Sequence, residues 1–208
     1  MKVDGNRFRM KRFARFLSLL DKLPAKDGPT RILDIGGTRE YWQALRPLWE
    51  GRKVDITIVN LDQPAEDDDI YHLRSDNACA LQYPDMAFDV VHSNSVIEHV
   101  GRWPEMAAMA REVRRLAPHY YLQTPNFWFP VEPHYRSVMF HWLPESYRAA
   151  RLVNRRRGFR IASDYDEAMR NIQSVALLTA RQMGALFPDA RIERERIGPL
   201  TKSLIAIR

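Results

Sequence analysis

Short apolar segments alternate with helix-like segments along most of this chain, and this alternation limits the possible folds more than any other feature. The apolar segments are rich in β-branched residues and read as nearly continuous runs, which is typical of parallel strands buried on both faces. The sequence therefore predicts an α/β fold, in which helices cover both faces of a parallel sheet. The predicted strands are residues 31–35, 55–61, 88–93, 120–123, 191–197 and 203–207.

Helical spacing of apolar residues marks the segments between the strands. The predicted helices are residues 8–23, 40–46, 104–116 and 180–187. In the first of them Phe13, Phe16 and Leu20 share one face, so we expect this helix to cap the sheet. A helix that lies on a membrane surface, as a peripheral contact, is the alternative. The last helix should begin at a capping box, because Thr179 precedes Gln182 by three residues.

The chain of 208 residues has the length of one ordinary domain, and we expect a single domain over residues 1–208. An N-terminal cap at 1–29 should precede a ligand-binding core at 30–124, and the last helix and strands should occupy 179–208. Residues 125–178 interrupt the alternation with prolines and aromatic side chains, which exclude a central strand. We expect this insertion to form a lid that faces the substrate.

The composition excludes several classes of protein. With 45% hydrophobic and 28% charged residues the chain reads as globular, and no segment approaches the roughly 18 apolar residues of a membrane span. A single cysteine, Cys79, excludes an internal disulfide and a cysteine-based zinc site, which favours a cytoplasmic location. The net charge of +6 is modest and leaves a polyanionic partner open.

The first predicted strand ends in a glycine turn, Asp34-Ile35-Gly36-Gly37-Thr38. Ligands of open α/β sheets bind beyond the carboxyl ends of the strands, so this turn is a candidate binding site. A dinucleotide site would need a third glycine, but Arg39 and Glu40 stand where the turn should tighten. The carboxylates of Asp34 and Glu40 would repel a pyrophosphate and attract an ammonium group. The turn therefore favours S-adenosylmethionine, which carries an ammonium, a sulfonium and no phosphate, over NAD.

Several longer stretches carry a family resemblance. They include RILDIGGTREYW at the first strand, DITIVNLD at the second and KSLIAIR at the end of the chain. The most specific stretch is SDNACALQYPDMAFDVVHSNSVIEHV, and YYLQTPNFWFPVEPHYR follows it. Together these stretches resemble class I S-adenosylmethionine-dependent methyltransferases of the type 11 branch, including members that act on small molecules and glycans. One departure is Thr38, where the family usually has another glycine.

The resemblance covers residues 31–208 and implies a Rossmann-like sheet of seven strands, mostly parallel with an antiparallel last strand. It also implies that Asp34, Gly36 and Gly37 surround the methionine part of S-adenosylmethionine. At the end of the second strand Asn60 and Asp62 compete to bind the ribose hydroxyls, and we prefer Asp62 because a carboxylate accepts from both. The structural alternatives are that Asp34 caps the turn and that Asp62 begins an acidic loop.

The resemblance extends to the adenine and to the acceptor. Asp76, Asn77 and Ala78 would lie beside the adenine, and Ser93 and Asn94 would line the route from cofactor to substrate. The predicted substrate contacts are Asn94, Tyr135 and Arg136.

A general base is needed only if the methyl acceptor is a protonated group such as a hydroxyl. The candidate is His134, which Glu132 could orient, and the alternative is that His134 only fixes the lid. For Glu98 and His99 we favour a structural pair over a catalytic dyad. The acidic run 67–69 is consecutive, so its carboxylates should diverge, and we expect no metal site.

The sequence thus predicts methyl transfer from S-adenosylmethionine to a small-molecule or glycan acceptor, most simply at oxygen. The segment Ser93-Asn94-Ser95-Val96 contains no proline, unlike the proline-rich tetrapeptide typical of nucleic-acid base methyltransferases, which argues against a nucleic-acid partner. The arginines at 155–157 leave an anionic acceptor open, such as a phosphorylated or acidic sugar. The alternatives are a cofactor-binding protein without catalysis, a nucleic-acid methyltransferase and an NAD-linked sugar enzyme.

Overall fold

The structure of the protein is a computed structural model, which describes residues 7–208. Its helices are α1 Arg7–Leu20, α2 Arg39–Ala44, α3 Arg46–Trp49, α4 Trp103–Leu116, α5 Glu145–Ala150, α6 Tyr165–Gln173 and α7 Ala180–Leu186. Its strands are β1 Thr30–Ile35, β2 Val54–Asn60, β3 Glu66–Asp67, β4 Tyr71–Ser75, β5 Val90–Asn94, β6 His119–Pro125, β7 Val131–Glu132, β8 Ser137–Val138, β9 Arg191–Ile197 and β10 Leu200–Ile207. Short 3₁₀ turns cover Ile97–His99 and Phe140–Trp142.

The described elements fall into two compact units. The first unit contains the described residues up to Asn94, together with Arg111–Leu122 and Arg208. The second unit contains Ser95–Ala110 and Gln123–Ile207. Helix α4 and strand β6 each contain residues of both units.

The first unit is built on a mostly parallel sheet with the strand order β3-β4-β2-β1-β5-β6. Strand β1 lies between β2 and β5, in a parallel register that places Asp34 beside Ile58 and His92. Ile32 and Leu33 of β1 are fully buried, as expected for a strand covered on both faces. The central position of β1 therefore fixes the glycine turn at the carboxyl end of the sheet.

Strand β10 of the second unit pairs with β9 in antiparallel register. This confirms the predicted α/β fold, the mostly parallel sheet and the antiparallel last strand. The sheet has eight strands among the described residues, however, instead of the seven that we expected.

The additional strand is β3, in an acidic segment for which the sequence predicted no strand. Glu66 and Asp67 pair in antiparallel register with β4. Arg39 donates to Glu66, and Arg74 donates to Asp67 with an N–O distance of 2.6 Å. These basic partners offset the acidic charge, so the pair can form a short edge strand.

Helix α1 packs its apolar face within the first unit. Phe13 and Phe16 are fully buried, and the ring of Phe16 lies 4.7 Å from that of His92 and 5.8 Å from that of Tyr121. This apolar face is therefore occupied by protein, which favours a helix that caps the sheet over the alternative of a peripheral membrane contact. None of the described helices combines the length and apolar character needed to cross a bilayer.

The insertion at 125–178 has its own small core in the second unit. Helices α5 and α6 and the β7–β8 hairpin surround buried Tyr135, Phe140, Leu152 and Ile172. After the insertion, α7 begins at the predicted capping box, in which the Thr179 hydroxyl accepts from the backbone N–H of Gln182.

Candidate functional site

The turn after β1 needs both of its glycines, for different reasons. Gly36 has a φ of +73°, a backbone conformation that favours glycine, and its N–H donates to the carbonyl of Val59 at 2.8 Å. A Cβ on Gly37 would lie 1.7 Å from Oδ2 of Asp34. The turn is therefore closed tightly against the carboxylate that precedes it.

Asp34 is buried at the end of β1, and two side chains hold its carboxylate. Trp42 Nε1 donates to Oδ2 at 2.6 Å, and His92 Nδ1 lies 2.7 Å from Oδ1. Because a carboxylate accepts, His92 carries its proton on Nδ1 when Asp34 is ionised. These contacts fix the carboxylate in place while each oxygen keeps a further lone pair for a ligand.

A cavity of about 360 Å³ opens beside this turn within the first unit. Its lining includes Arg9, Asp34, Gly36, Gly37, Thr38, Glu40, Tyr41, His92 and Asn94. The hydroxyl of Thr38 accepts from the N–H of Tyr41 and so begins helix α2. Burial, with the Asp34 charge nearby, raises the pKa of Tyr41, so this ring stays neutral. The cavity therefore presents two carboxylates and one guanidinium to a ligand that carries mixed charge.

The two residues that competed for the ribose have different environments. Asn60 Nδ2 donates to the carbonyl of Gly37 at 2.6 Å, so this amide holds the glycine turn. Asp62 is exposed just beyond β2. The preference for Asp62 as the ribose contact stays a prediction. It is compatible with the hydrogen bond of Asn60 to the glycine turn.

The predicted adenine contacts follow β4 in one loop. Asp76 accepts from the backbone N–H of Asn77 at 2.7 Å and from that of Gln82 at 3.0 Å. Asn77 Oδ1 in turn accepts from the N–H of Cys79 at 2.9 Å, and Ala78 between them is partly buried. The polar side chains thus shape this loop, and their role toward adenine stays a prediction.

The residues at the end of β5 face different surroundings. Ser93 is fully buried and donates its hydroxyl to the carbonyl of Ile35 at 3.1 Å, which joins β5 to β1. Asn94, the next residue, lines the cavity beside the glycine turn. Of this pair, Asn94 is therefore the side chain that a ligand in the cavity would meet.

Glu98, His99 and His134 form a cluster in the second unit, which we call the histidine cluster. One ligand-type atom from each residue lies within 4.8 Å of the others. The Nε2 atoms of His99 and His134 are 3.0 Å apart, and the two rings are perpendicular. His134 Nδ1 contacts Glu132 Oε1 at 2.7 Å, and Glu132 Oε2 accepts from the N–H of Tyr135. The Glu132 carboxylate therefore fixes the ring of His134.

Glu98 is the most deeply buried member of the cluster. Its Oε2 accepts from the Thr124 hydroxyl at 2.9 Å, whereas its Oε1 accepts from no other side chain among the described residues. Burial raises the pKa of Glu98 to about 7, although its own backbone N–H and Thr124 act in the opposite direction. Burial, followed by the neighbouring His134, lowers the pKa of His99. Sequence reasoning paired Glu98 with His99 but missed the cluster, because His134 joins them only through the fold.

The predicted substrate contacts of the insertion take structural positions in the second unit. Tyr135 is buried and donates its hydroxyl to the carbonyl of Asn171 at 2.8 Å. The guanidinium of Arg136 lies 4.3 Å from the ring centre of Phe159. A cavity of about 180 Å³ adjoins Tyr135. Its polar lining includes Arg102, Glu132, His141, Glu145 and Arg148.

The first unit is thus a Rossmann-like core with a polar cavity at its first glycine turn. A family described as a methyltransferase domain matches residues 7–176, and the chain belongs to this family. This confirms the resemblance to class I methyltransferases that the motifs indicated. No curated protein matches the chain by sequence.

Solved structures share the fold at low sequence identity. The CurJ carbon methyltransferase is 12% identical with a TM-score of 0.60, over 96% of this chain and 53% of that chain. The citrinin polyketide synthase CMeT domain is 15% identical with a TM-score of 0.59, over 97% of this chain and 52% of that chain. The third structure is the Haemonchus contortus Phospholethanolamine N-methyltransferase 2 in complex with phosphomonomethylethanolamine and S-adenosylhomocysteine. It is 14% identical with a TM-score of 0.54, over 88% of this chain and 39% of that chain. The chain therefore spans about half the length of the first two structures.

Proposed function

We propose that this protein binds S-adenosylmethionine at the glycine turn after β1 and transfers its methyl group to an oxygen of a small molecule or glycan. The observation that carries the proposal is the cavity formed by the buried Asp34 and the Gly36–Gly37 turn, in a chain of the methyltransferase family.

The charges of this cavity support S-adenosylmethionine over a dinucleotide. Asp34 and Glu40 place negative charge beside the turn, where a pyrophosphate would be repelled and an ammonium or sulfonium attracted. Arg9 is the cationic member of the lining and suits the carboxylate of the same ligand. A cavity of about 360 Å³ also lies in the range usual for small-molecule sites.

Methyl transfer from a sulfonium is a single displacement in which the electrophile is already activated. The protein must mainly hold the acceptor atom in line and exclude water. An oxygen acceptor must also lose a proton, and we propose that His134 assists this step. The contact between His134 Nδ1 and Glu132 supports this role, because it directs the reactive lone pair to Nε2.

The second unit supports an acceptor that carries hydroxyl or acidic groups. Arg102 and Arg148 line its cavity together with Glu132 and Glu145, so the wall offers donors and acceptors in one place. Exposed Trp128 and Trp142 add aromatic faces in the same unit.

Calorimetric titration with S-adenosylhomocysteine tests the cofactor. We expect one site per chain in the wild type and at least a tenfold loss of affinity in Asp34→Asn, because the amide removes the negative charge. The matched control is Asp27→Asn, which changes an exposed aspartate and should leave the affinity unchanged. Binding of NAD without binding of S-adenosylhomocysteine would overturn the proposal.

Transfer from methyl-tritiated S-adenosylmethionine to a cell extract tests catalysis. We expect label in a small-molecule or glycan fraction, and less label with His134→Gln at unchanged cofactor affinity. Cofactor binding without any transfer would identify a non-catalytic binding protein instead.

A further inference from the structure

We propose that the histidine cluster is a binding site for one divalent first-row transition metal ion, with Glu98, His99 and His134 as its protein ligands. The sequence predicted no metal site, because it directed attention to the acidic run at 67–69. The inference does not depend on cofactor binding, since all of its residues belong to the second unit.

The hydrogen bonds of the two imidazoles leave their facing nitrogens unprotonated. His99 Nδ1 lies 3.3 Å from the carbonyl oxygen of Ser174, which can only accept, so this nitrogen carries the proton. His134 Nδ1 lies 2.7 Å from Glu132 Oε1, and an ionised carboxylate also only accepts. In the neutral rings each Nε2 therefore presents a lone pair.

The two Nε2 atoms that carry these lone pairs are 3.0 Å apart. Two unprotonated nitrogens at this distance repel each other unless a cation lies between them. The cation is either a metal ion or a proton on one Nε2, and the proton makes that ring an imidazolium or removes the proton from its Nδ1. A metal ion about 2.1 Å from each nitrogen would subtend an angle of about 90°, which is the angle between neighbouring ligands of an octahedral ion.

Glu98 supplies the observation that favours a metal ion over a proton. Its Oε1 is buried and accepts from no other side chain among the described residues, although Oε2 is held by Thr124. An unpaired carboxylate oxygen in a buried position is costly, and coordination of a cation removes this cost. One carboxylate oxygen of Glu98 and one ring nitrogen from each of His99 and His134 lie within 4.8 Å of one another, which makes a two-histidine, one-carboxylate set.

The contacts around the cluster are those that hold metal ligands. A ligating histidine usually donates its other N–H to a carboxylate or a backbone carbonyl. His134 has the carboxylate of Glu132 in this position, and His99 has the carbonyl of Ser174. Glu132 is itself held by the N–H of Tyr135 at 2.6 Å. Imidazole ligands select Zn²⁺, Fe²⁺ or Co²⁺ over Mg²⁺, which prefers oxygen.

An ion at this site would also define how His134 assists the acceptor. A bound ion lowers the pKa of a coordinated hydroxyl or water by several units. His134 would then act as a ligand of the ion instead of as a base, and an acceptor hydroxyl bound to the ion would release its proton to solvent water. This extension rests on the proposed function, whereas the binding of the ion does not.

The test uses untagged, full-length protein that has been treated with a chelator and titrated with Co²⁺ by calorimetry. We expect one ion per chain with a Kd below about 10 µM. Proton NMR of the Co²⁺ form should show two strongly shifted exchangeable signals, from the Nδ1–H groups of His99 and His134. Equimolar Zn²⁺ should displace Co²⁺, whereas Mg²⁺ should not.

Variants locate the ion. His99→Ala and His134→Ala should each weaken Co²⁺ binding at least 100-fold, and Glu132→Gln should weaken it 10- to 100-fold through the orientation of His134. The matched control is His119→Gln, which changes a histidine of the first unit and should leave the affinity unchanged. Circular dichroism checks the fold, and His134→Gln replaces any alanine variant that does not fold.

Two results would overturn the proposal. One is the absence of stoichiometric Co²⁺ and Zn²⁺ binding, which would assign a proton to one Nε2 of the pair. The other is binding that His99 and His134 variants leave unchanged. In either case the titration with S-adenosylhomocysteine still reports separately on the cofactor, so the failure of one proposal does not mimic the failure of the other.

Discussion

Gly37 shows how one residue can constrain the cavity that we propose for the cofactor. Its Cα lies so close to Asp34 that any side chain would have to displace the carboxylate. That carboxylate is held by Trp42 and His92, so it cannot move without breaking buried hydrogen bonds. The glycine therefore preserves the charge arrangement that we propose for cofactor binding.

We expect Gly37→Ala to reduce affinity for S-adenosylhomocysteine at least tenfold and to lower the free energy of unfolding by about 2 kcal/mol. The matched control is Gly184→Ala in α7, where a new Cβ would meet nothing within 4 Å. This control should raise the free energy of unfolding by about 0.5 kcal/mol through helix propensity, with unchanged affinity. Urea denaturation and calorimetry measure both quantities, and equal effects of the two alanines would contradict the argument.

At the scale of elements, Asp89 joins the loop before β1 to the residues that lead into β5. Its carboxylate contacts the ammonium of Lys26 and accepts from the backbone N–H of Arg31 at 2.7 Å. Burial raises the pKa of Asp89, but the contacts with Lys26 and Arg31 lower it more, so the pKa lies below the ordinary value. The ionised form therefore stabilises this connection.

A lowered pKa fixes the sign of the pH dependence. The stabilisation is present above the ordinary aspartate pKa and is lost as the pH falls through the lower pKa of the folded state. We expect Asp89→Asn to lower the free energy of unfolding by about 1.5 kcal/mol at pH 7, and by much less at pH 2.5. Urea denaturation at both pH values measures the difference. Asp69→Asn, in an exposed loop, should have no effect at either pH, and a constant effect of Asp89→Asn would rule out the charge as its cause.

The elements that could be predicted are those with a local signal. The apolar runs located β1, β2, β5 and β6, and the three-residue spacing of Thr179 and Gln182 located the start of α7. Strand β3 consists of two acidic residues, so it has no alternating apolar pattern that would predict a strand. Its contacts with Arg39 and Arg74 explain why it forms. Pro144, directly before α5, likewise hid that helix, and α6 was missed because the whole insertion was interpreted as a lid.

In the candidate site, too, the residues with a local sequence signal could be predicted and the contacts between remote residues could not. The glycine turn could be predicted because its residues are adjacent in sequence and two of them need glycine geometry. The contact of His99 with His134 spans 35 positions of the chain, so no local pattern indicates it. His92, one of the two partners of Asp34, lies 58 positions away and reaches it through strand pairing. Residue type gave the chemistry, and the fold decided which side chains meet.

At the scale of the whole molecule, the continuity of two elements bears on how the chain unfolds. The boundary between the two units falls inside α4 and inside β6. A helix or strand loses its cooperative hydrogen bonding when only half of it is ordered. We therefore expect the two units to unfold in one transition.

S-adenosylhomocysteine makes this expectation measurable, because a ligand that binds only the folded state raises the unfolding temperature. At a concentration 100-fold above its Kd, the ligand should add about 2.7 kcal/mol to the free energy of unfolding. For a chain of this length that corresponds to an increase of roughly 5–10 °C in Tm. Scanning calorimetry should show a single peak that moves as a whole, and the same concentration of NAD should not move it. Two peaks, of which only one responds to S-adenosylhomocysteine, would show that the first unit unfolds independently of the second.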